Sequence, residues 1–168
     1  THLRLFDKLG AHLMEVEGIR GTRFTVWAPN AGRVSVVGEF NHWNGLQHPM
    51  QAIGSSGIWE LFLPGIGEGM LYKFEIKVQN GEVFLKSDPF AFASEIRPST
   101  ASRVANLEDY VWQDQTWMEN RTRQDPLKQP INIYEVHLGS WKRKADQENR
   151  FLTYRCLLYT SPSPRDDV

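Results

Sequence analysis

Residues 70–78 read MLYKFEIKV, with Tyr72, Phe74, Ile76 and Val78 in strict period two against Lys73, Glu75 and Lys77, and Asn80-Gly81 follows at once. Side chains alternate between the two faces of a strand, so this segment must bury one face and wet the other. An Asn-Gly pair suits the positive φ angles of a tight hairpin turn. The segment therefore predicts an antiparallel pair whose return strand is Val83–Lys86. The same period recurs upstream. Over residues 21–28, Phe24, Val26 and Ala28 oppose Arg23, Thr25 and Trp27, and Pro29-Asn30-Ala31-Gly32 ends the run. Residues 33–40 are rich in β-branched side chains, which favour strands. Over residues 57–63, Ile58, Glu60 and Phe62 alternate with Trp59, Leu61 and Leu63 before Pro64-Gly65. Short strands at regular spacing, with no convincing helix between them, predict an all-β fold of the β-sandwich type.

The pattern changes after Ser87-Asp88-Pro89. Residues 90–130 are polar and irregular and contain Pro98, Pro126 and Pro130; Val104 reads as part of a last edge strand and residues 108–120 as a short helix. A new apolar run, Ile131–Leu138, then begins with few residues left downstream to pair with it. The expected organisation is a sandwich over 1–105, a linker over 106–130 and the opening of a second, truncated domain over 131–155. After Arg155 the sequence CLLYTSPSPRDDV shares no register with what precedes it, so residues 156–168 are expected to be a non-native tail.

Composition narrows the chemistry. A net charge of −1 offers no basic surplus for nucleic acid or an anionic membrane. The one cysteine, Cys156, excludes an internal disulfide framework and a Cys-based zinc site. No apolar run approaches the ~20 residues that span a bilayer, and the first residues lack a signal-peptide layout. The five His (His2, His12, His42, His48, His137) show no metal-ligand spacing, and the glycines sit at turns rather than in a phosphate loop. Paired carboxylates for glycoside chemistry must face one another across a cleft. A sandwich plus one further strand supplies no such pair, so no catalysis and no cofactor or metal are expected of these residues alone.

The unusual quantity is 12% aromatic residues, including six Trp. Trp27 reads as a core anchor. Trp43 does not, because it lies in Glu39-Phe40-Asn41-His42-Trp43-Asn44-Gly45, among turn-forming polar residues at a strand end. An exposed indole presents ~150–250 Å² that gains from being covered, and the apolar face of a sugar ring is a fitting cover. Asn41, Asn44, Asn80 and Lys73 are the candidate partners for sugar hydroxyls. Trp59 stays open between core and sugar platform.

The segments TRFTVWAPNAGRVSVVGEFNHW, SGIWELFLPG, LYKFEI and KSDPFA resemble the carbohydrate-binding module 48 family, whose domain is an immunoglobulin-like β-sandwich. That resemblance implies contact with α-1,4-glucan by the Trp of the FNxW segment and the Lys of the YKF segment, which here are Trp43 and Lys73. Some relatives add a Trp just after the hairpin. Here Val83 and Phe84 stand there, and Phe84 is the candidate replacement. LGAH at 9–12, RPSTAS at 97–102 and IYEVHLGSWKR at 133–143 are similar to the bacterial 1,4-α-glucan (glycogen) branching enzymes of the α-amylase clan. The resemblance implies that residues 131–138 open a (β/α)8 barrel. It also implies a retaining transfer of a cleaved α-1,4-glucan chain to a 6-hydroxyl, by carboxylates that this sequence does not contain. The sandwich would pack on that barrel, and the protein would be cytoplasmic. The alternatives are a debranching or trehalose-releasing enzyme of the same clan, or a non-catalytic glycogen-binding module.

Overall fold

The computed structural model describes residues 2–128, 130, 133–145 and 147–160. The chain separates into two units, residues 1–112 and 113–168.

The first unit is a β-sandwich. A 3-10 turn over His2–Asp7 leads into β1 (Gly10–Val16), followed by β2 (Ile19–Trp27), β3 (Ala31–Gly38), β4 (Gln51–Ala52), β5 (Ile58–Pro64), β6 (Leu71–Val78), β7 (Val83–Lys86), β8 (Ala93–Ser94) and β9 (Ser102–Arg103). One sheet has the order β1-β2-β5-β4. The other has the order β3-β6-β9-β8, with β7 pairing on β6 as well. Every named pairing is antiparallel. The hairpin expected at Asn80-Gly81 joins β6 to β7, with Gly81 at φ +93° and Ile76 opposite Phe84.

Period two sets the two faces of β6. Tyr72 and Phe74 point inward, where they are fully buried with Phe24, Val34 and Val36. Phe24 and Phe74 both pack edge-to-face on the Tyr72 ring, at centroid distances of 4.9 and 5.8 Å. Lys73 and Glu75 face outward, directly opposite Val37 and Ser35 of β3. Trp59, Leu61 and Leu63 supply the inward face of β5.

The Tyr72 hydroxyl donates to Asp88 Oδ2 at 2.6 Å, and the Phe90 and Asp88 amides donate to Asp88 Oδ1 and Ser102 Oγ, both at 2.8 Å. These bonds tie the loop after β7 to the centre of the core. Burial is the main reason that both groups titrate high. Desolvation, then the Asp88 charge and hydrogen bond, push the Tyr72 phenol far above its ordinary value. Desolvation also raises the Asp88 carboxyl, against the hydrogen bonds from Tyr72 and the Phe90 amide and the nearby His12.

One expectation needs correction here, and one strand is additional to those expected. Trp27 is not core: it is 62% exposed, opposite Ile58 on the outer face of its sheet. Its place in the Arg23/Thr25 row dictates this, since period two leaves it no route inward. Strand β1 has no counterpart in the sequence reading, because its outer half does not alternate: Leu13, Met14 and Val16 are all exposed at the sheet edge. The signal for it is Glu17-Gly18, both at positive φ, which form the two-residue turn into β2.

In the second unit α1 (Gln115–Arg123) begins seven residues later than the helix expected from residue 108, because Asn106 Oδ1 takes the Glu108 amide at 3.0 Å and closes a local turn instead. Leu138–Trp141 form a single helical turn, α2; β10 (Arg143–Lys144) and β11 (Arg150–Phe151) make a short hairpin, and α3 covers Tyr154–Thr160. The strand expected over 131–138 is not formed among the described residues. Residues 133–137 carry no ladder, while 131 and 132 lie outside them. A barrel strand holds its shape through hydrogen bonds to two parallel neighbours, and no described residue offers one. Helix α3 crosses the Arg155/Cys156 junction without a break, and most of the expected tail, 161–168, lies outside the described residues.

Replacing Tyr72 by Phe removes one donor from a buried carboxyl. It is expected to cost about 1–3 kcal/mol in a urea-unfolding experiment near neutral pH. Because folding raises the phenol, its contribution is complete below the unfolded tyrosine value of about 10 and is lost as pH rises past it. The alkaline fall in stability should therefore be shallower in Tyr72→Phe than in wild type. An equal fall in both would contradict this.

Candidate functional site

The end of β3 builds the site. After Gly38 the chain makes a 3-10 turn over Glu39–Asn41 and then places both His42 and Trp43 in the left-handed region, at φ +52° and +58°. For a residue with a Cβ this conformation costs on the order of 1 kcal/mol, so its surroundings must impose it. They do. The Trp43 amide donates back to Gly38 O at 2.8 Å and the His42 amide to Glu39 O at 3.1 Å. Asn41 is fully buried. Its Oδ1 accepts the Gly38 amide, its Nδ2 donates to Val36 O, and Nδ2 also lies at hydrogen-bond distance from His48 Nδ1, each at 2.9 Å. Farther along the loop, Gly45 sits directly against the Glu75 carboxylate, where a Cβ would collide. Glu75 in turn is paired with Arg33 at 2.6 Å.

Glu75 and Lys73 lie on the same outward face of β6, so the loop carrying Trp43 folds over the face that presents Lys73. Trp43 is 37% exposed. Lys73 Nζ donates to Thr100 Oγ1 at 2.8 Å, which orients the ammonium instead of leaving it to wander. Thr100 also borders a cleft of about 410 Å³ lined by Ser87, Ser94, Glu95, Arg97 and Ser99 among others. Thr100 has no place in the sequence reading of the site. It lies in the RPSTAS segment, 27 residues from Lys73, and only the sheet pairing of Leu71 with Arg103 and Tyr72 with Ser102 brings them together.

Of the remaining candidates, Asn44 alone stays exposed next to Trp43, and the others are engaged or placed elsewhere. Asn41 is structural, because its amide oxygen and nitrogen are already engaged inside the protein. Trp59 is on the core side: partly buried, it packs against the buried cluster, and its Nε1 donates to Ala28 O at 3.0 Å. Asn80 serves the hairpin, accepting the Glu82 amide at 3.0 Å and donating to Glu82 Oε2 at 2.8 Å. At ~3.3 Å per strand residue it lies roughly 20 Å along the strand from Lys73. Phe84 is opposite Ile76 and so is on the other face of the sheet from Lys73. Asn44, exposed beside Trp43, uses its Oδ1 on the Leu46 amide at 3.0 Å. Among the described residues no group of three or more His, Cys, Asp or Glu is placed to hold a metal ion, and no helix is long and apolar enough to cross a membrane.

The first unit is thus an antiparallel β-sandwich that carries a partly exposed tryptophan on the loop after β3 and a lysine held by Thr100 on the outward face of β6. Residues 8–91 match the carbohydrate-binding module 48 (isoamylase N-terminal domain) family, and the chain belongs to it. Its relatives include proteins named 1,4-alpha-glucan branching enzyme GlgB. The one from Protochlamydia amoebophila is 54% identical over 95% of this chain, and the one from Myxococcus xanthus is 54% identical over 93%. The chain spans only 22% of the length of either. Among solved structures, apo pullulanase from Paenibacillus barengoltzii has a TM-score of 0.58 at 25% identity, covering 83% of this chain and 20% of that one. Klebsiella pneumoniae pullulanase, in a structure complexed with maltotriose, gives 0.50 at 29% identity over 61% of this chain and 10% of its own.

Replacing Asn41 by Ala leaves the Gly38 amide and the Val36 carbonyl buried without partners. It is expected to destabilise the sandwich by about 2–3 kcal/mol, read as a lower urea midpoint. An unchanged midpoint would show that the loop stands without this network.

Proposed function

We propose that this chain is the glucan-binding N-terminal part of a 1,4-α-glucan branching enzyme. An α-1,4-glucan chain lies across the outer face of the sheet containing β6, with a sugar ring stacked on Trp43. The Lys73 ammonium, steadied by Thr100, donates to its hydroxyls, and Asn44 lies close enough to add a polar contact. The observation that carries this reading is Trp43 itself, held partly in solvent and in left-handed backbone, on a loop whose Gly45 lies against Glu75, which shares the outward face of β6 with Lys73. Such strain persists where the surroundings over-determine it, and it clusters at ligand sites.

In this reading the catalytic work is done by the portion of the longer protein that the chain does not span. There an α-1,4 bond is cut and the freed chain is transferred to a 6-hydroxyl through a covalent glycosyl-enzyme. Residues 131–155 then belong to the opening of its (β/α)8 barrel, the sandwich packs on that barrel, and the protein works in the cytoplasm. The 54% identity to branching enzymes supports this assignment. The likeness to pullulanase at a TM-score of 0.58 favours a debranching enzyme as the second reading, at 25% identity.

Affinity electrophoresis in gels containing glycogen tests the binding. The chain should be retarded, and Trp43→Ala should weaken the apparent affinity about ten-fold or more, the size of effect that a buried aromatic anchor carries. Migration that ignores the polysaccharide would overturn the reading. An iodine-staining assay on the chain alone is expected to show no branching; measurable turnover would mean that its own residues carry the catalysis.

A further inference from the structure

The amide of Asn41 fixes the protonation of His48. The Gly38 amide donates to one end of that side chain at 2.9 Å, so this end is the oxygen and the other is the nitrogen. One hydrogen of Nδ2 goes to Val36 O and the second points at His48 Nδ1, both at 2.9 Å. Nδ1 must therefore accept, and the imidazole is neutral with its proton on Nε2. A proton on Nδ1 would set donor against donor.

This contact closes the neck of a loop. Residues 42–47 run out from Asn41 and return at His48, and Trp43 sits inside the loop. Beyond the ring, the backbone of His48 is stitched to the sheet: its carbonyl accepts the Val36 amide at 3.0 Å, and Pro49 bridges to Ser35. The ring of Phe40 lies 5.6 Å from the imidazole. The charged or titratable groups on the elements packed around the loop are Glu39 on the 3-10 turn, His42 just after it, Arg33 on β3, and Lys73 and Glu75 on β6. Arg33 and Glu75 are engaged with each other. Among the described residues no carboxylate lies within ion-pair distance of His48 to compensate a charge on it.

We propose that His48 is a proton-responsive positioning residue for the Trp43 platform: neutral, it holds the loop closed through Asn41, and protonated, it opens the neck and weakens glucan binding. The proposal rests on the reading of Trp43 as a sugar platform and assigns that site a regulation by proton uptake at the imidazole that braces it.

The test uses the whole chain and maltoheptaose as the probe. Affinity is measured from pH 7.5 to 5.0, alongside the imidazole nitrogen shifts of His48 by NMR. Affinity should fall about five-fold across this range, the equivalent of one neutral hydrogen bond, and the shifts at pH 7.5 should report a protonated Nε2. The His48→Asn variant places a non-titrating acceptor where Nδ1 was. It should bind at pH 5.0 as the wild type does at 7.5, while His48→Leu should bind weakly at both. Wild-type binding that does not vary with pH, a His48→Asn variant that keeps the full pH dependence, or a proton on Nδ1 at pH 7.5 would each overturn the proposal while leaving Trp43 as the platform. Absence of binding at every pH would remove the platform and this proposal together. If His48→Leu fails to fold, the comparison of wild type with His48→Asn decides alone.

Discussion

The sandwich and its candidate site both depend on one strand with two unlike faces. Inward, β6 sets Tyr72 and Phe74 against Phe24 and the valines of β3. Outward, the intervening residues place Lys73 and Glu75 on the face where the loop after β3 comes to rest. A slip of one residue in the pairing with β3 would exchange the two sets, burying charges and exposing aromatic rings. The apolar cost of that exchange is about 1.5–3 kcal/mol for each large ring left in water, so the same burial that stabilises the core also fixes where Lys73 points. Core and site are two readings of one register.

Much of this was legible in the residues. Strict alternation around Tyr72 and Phe74, and the Asn80-Gly81 pair, specify β6, its turn and β7, because burial and turn geometry are local consequences of residue type. The exposed placement of Trp43 was legible for the same reason, since no apolar neighbour offers it a core position. Trp59 was ambiguous because alternation names its row-mates but not which row faces the second sheet; the pairing of Phe24 with Leu61 and Val26 with Trp59 decides it. The brace at Asn41 was not legible, because an asparagine at a strand end suits a ligand contact and a buried brace equally well. Its three hydrogen-bond partners come from Val36, Gly38 and His48 together, and only the folded loop assembles them. Thr100 was invisible because it meets Lys73 across 27 residues of sequence, and no local pattern records such a meeting.

The two units differ in how they are held. In the first, aromatic packing and the Tyr72–Asp88 link join both sheets and the loop after β7 into one core. In the second, residues 133–137 make no ladder, and α1 buries none of its side chains. Helices this short gain most of their stability from packing an apolar face, and a barrel strand gains its own from parallel neighbours. On the proposed reading, residues 131–138 would gain that support from barrel strands that the described residues do not supply. This is why the sandwich could be read closely from the sequence and the segment after it could not.

The central claim is that Trp43, rather than Trp27 or Trp59, is the sugar platform. Its most direct test is a titration of the chain with a linear maltooligosaccharide, followed through the indole N–H resonances. The account predicts that the Trp43 indole shifts strongly and saturably, together with the side-chain signals of Lys73. The Trp59 indole, bonded to Ala28 O within the core, and the Trp27 indole on the other sheet should stay in place. Saturable shifts at Trp59 or Trp27 with a silent Trp43 would contradict it.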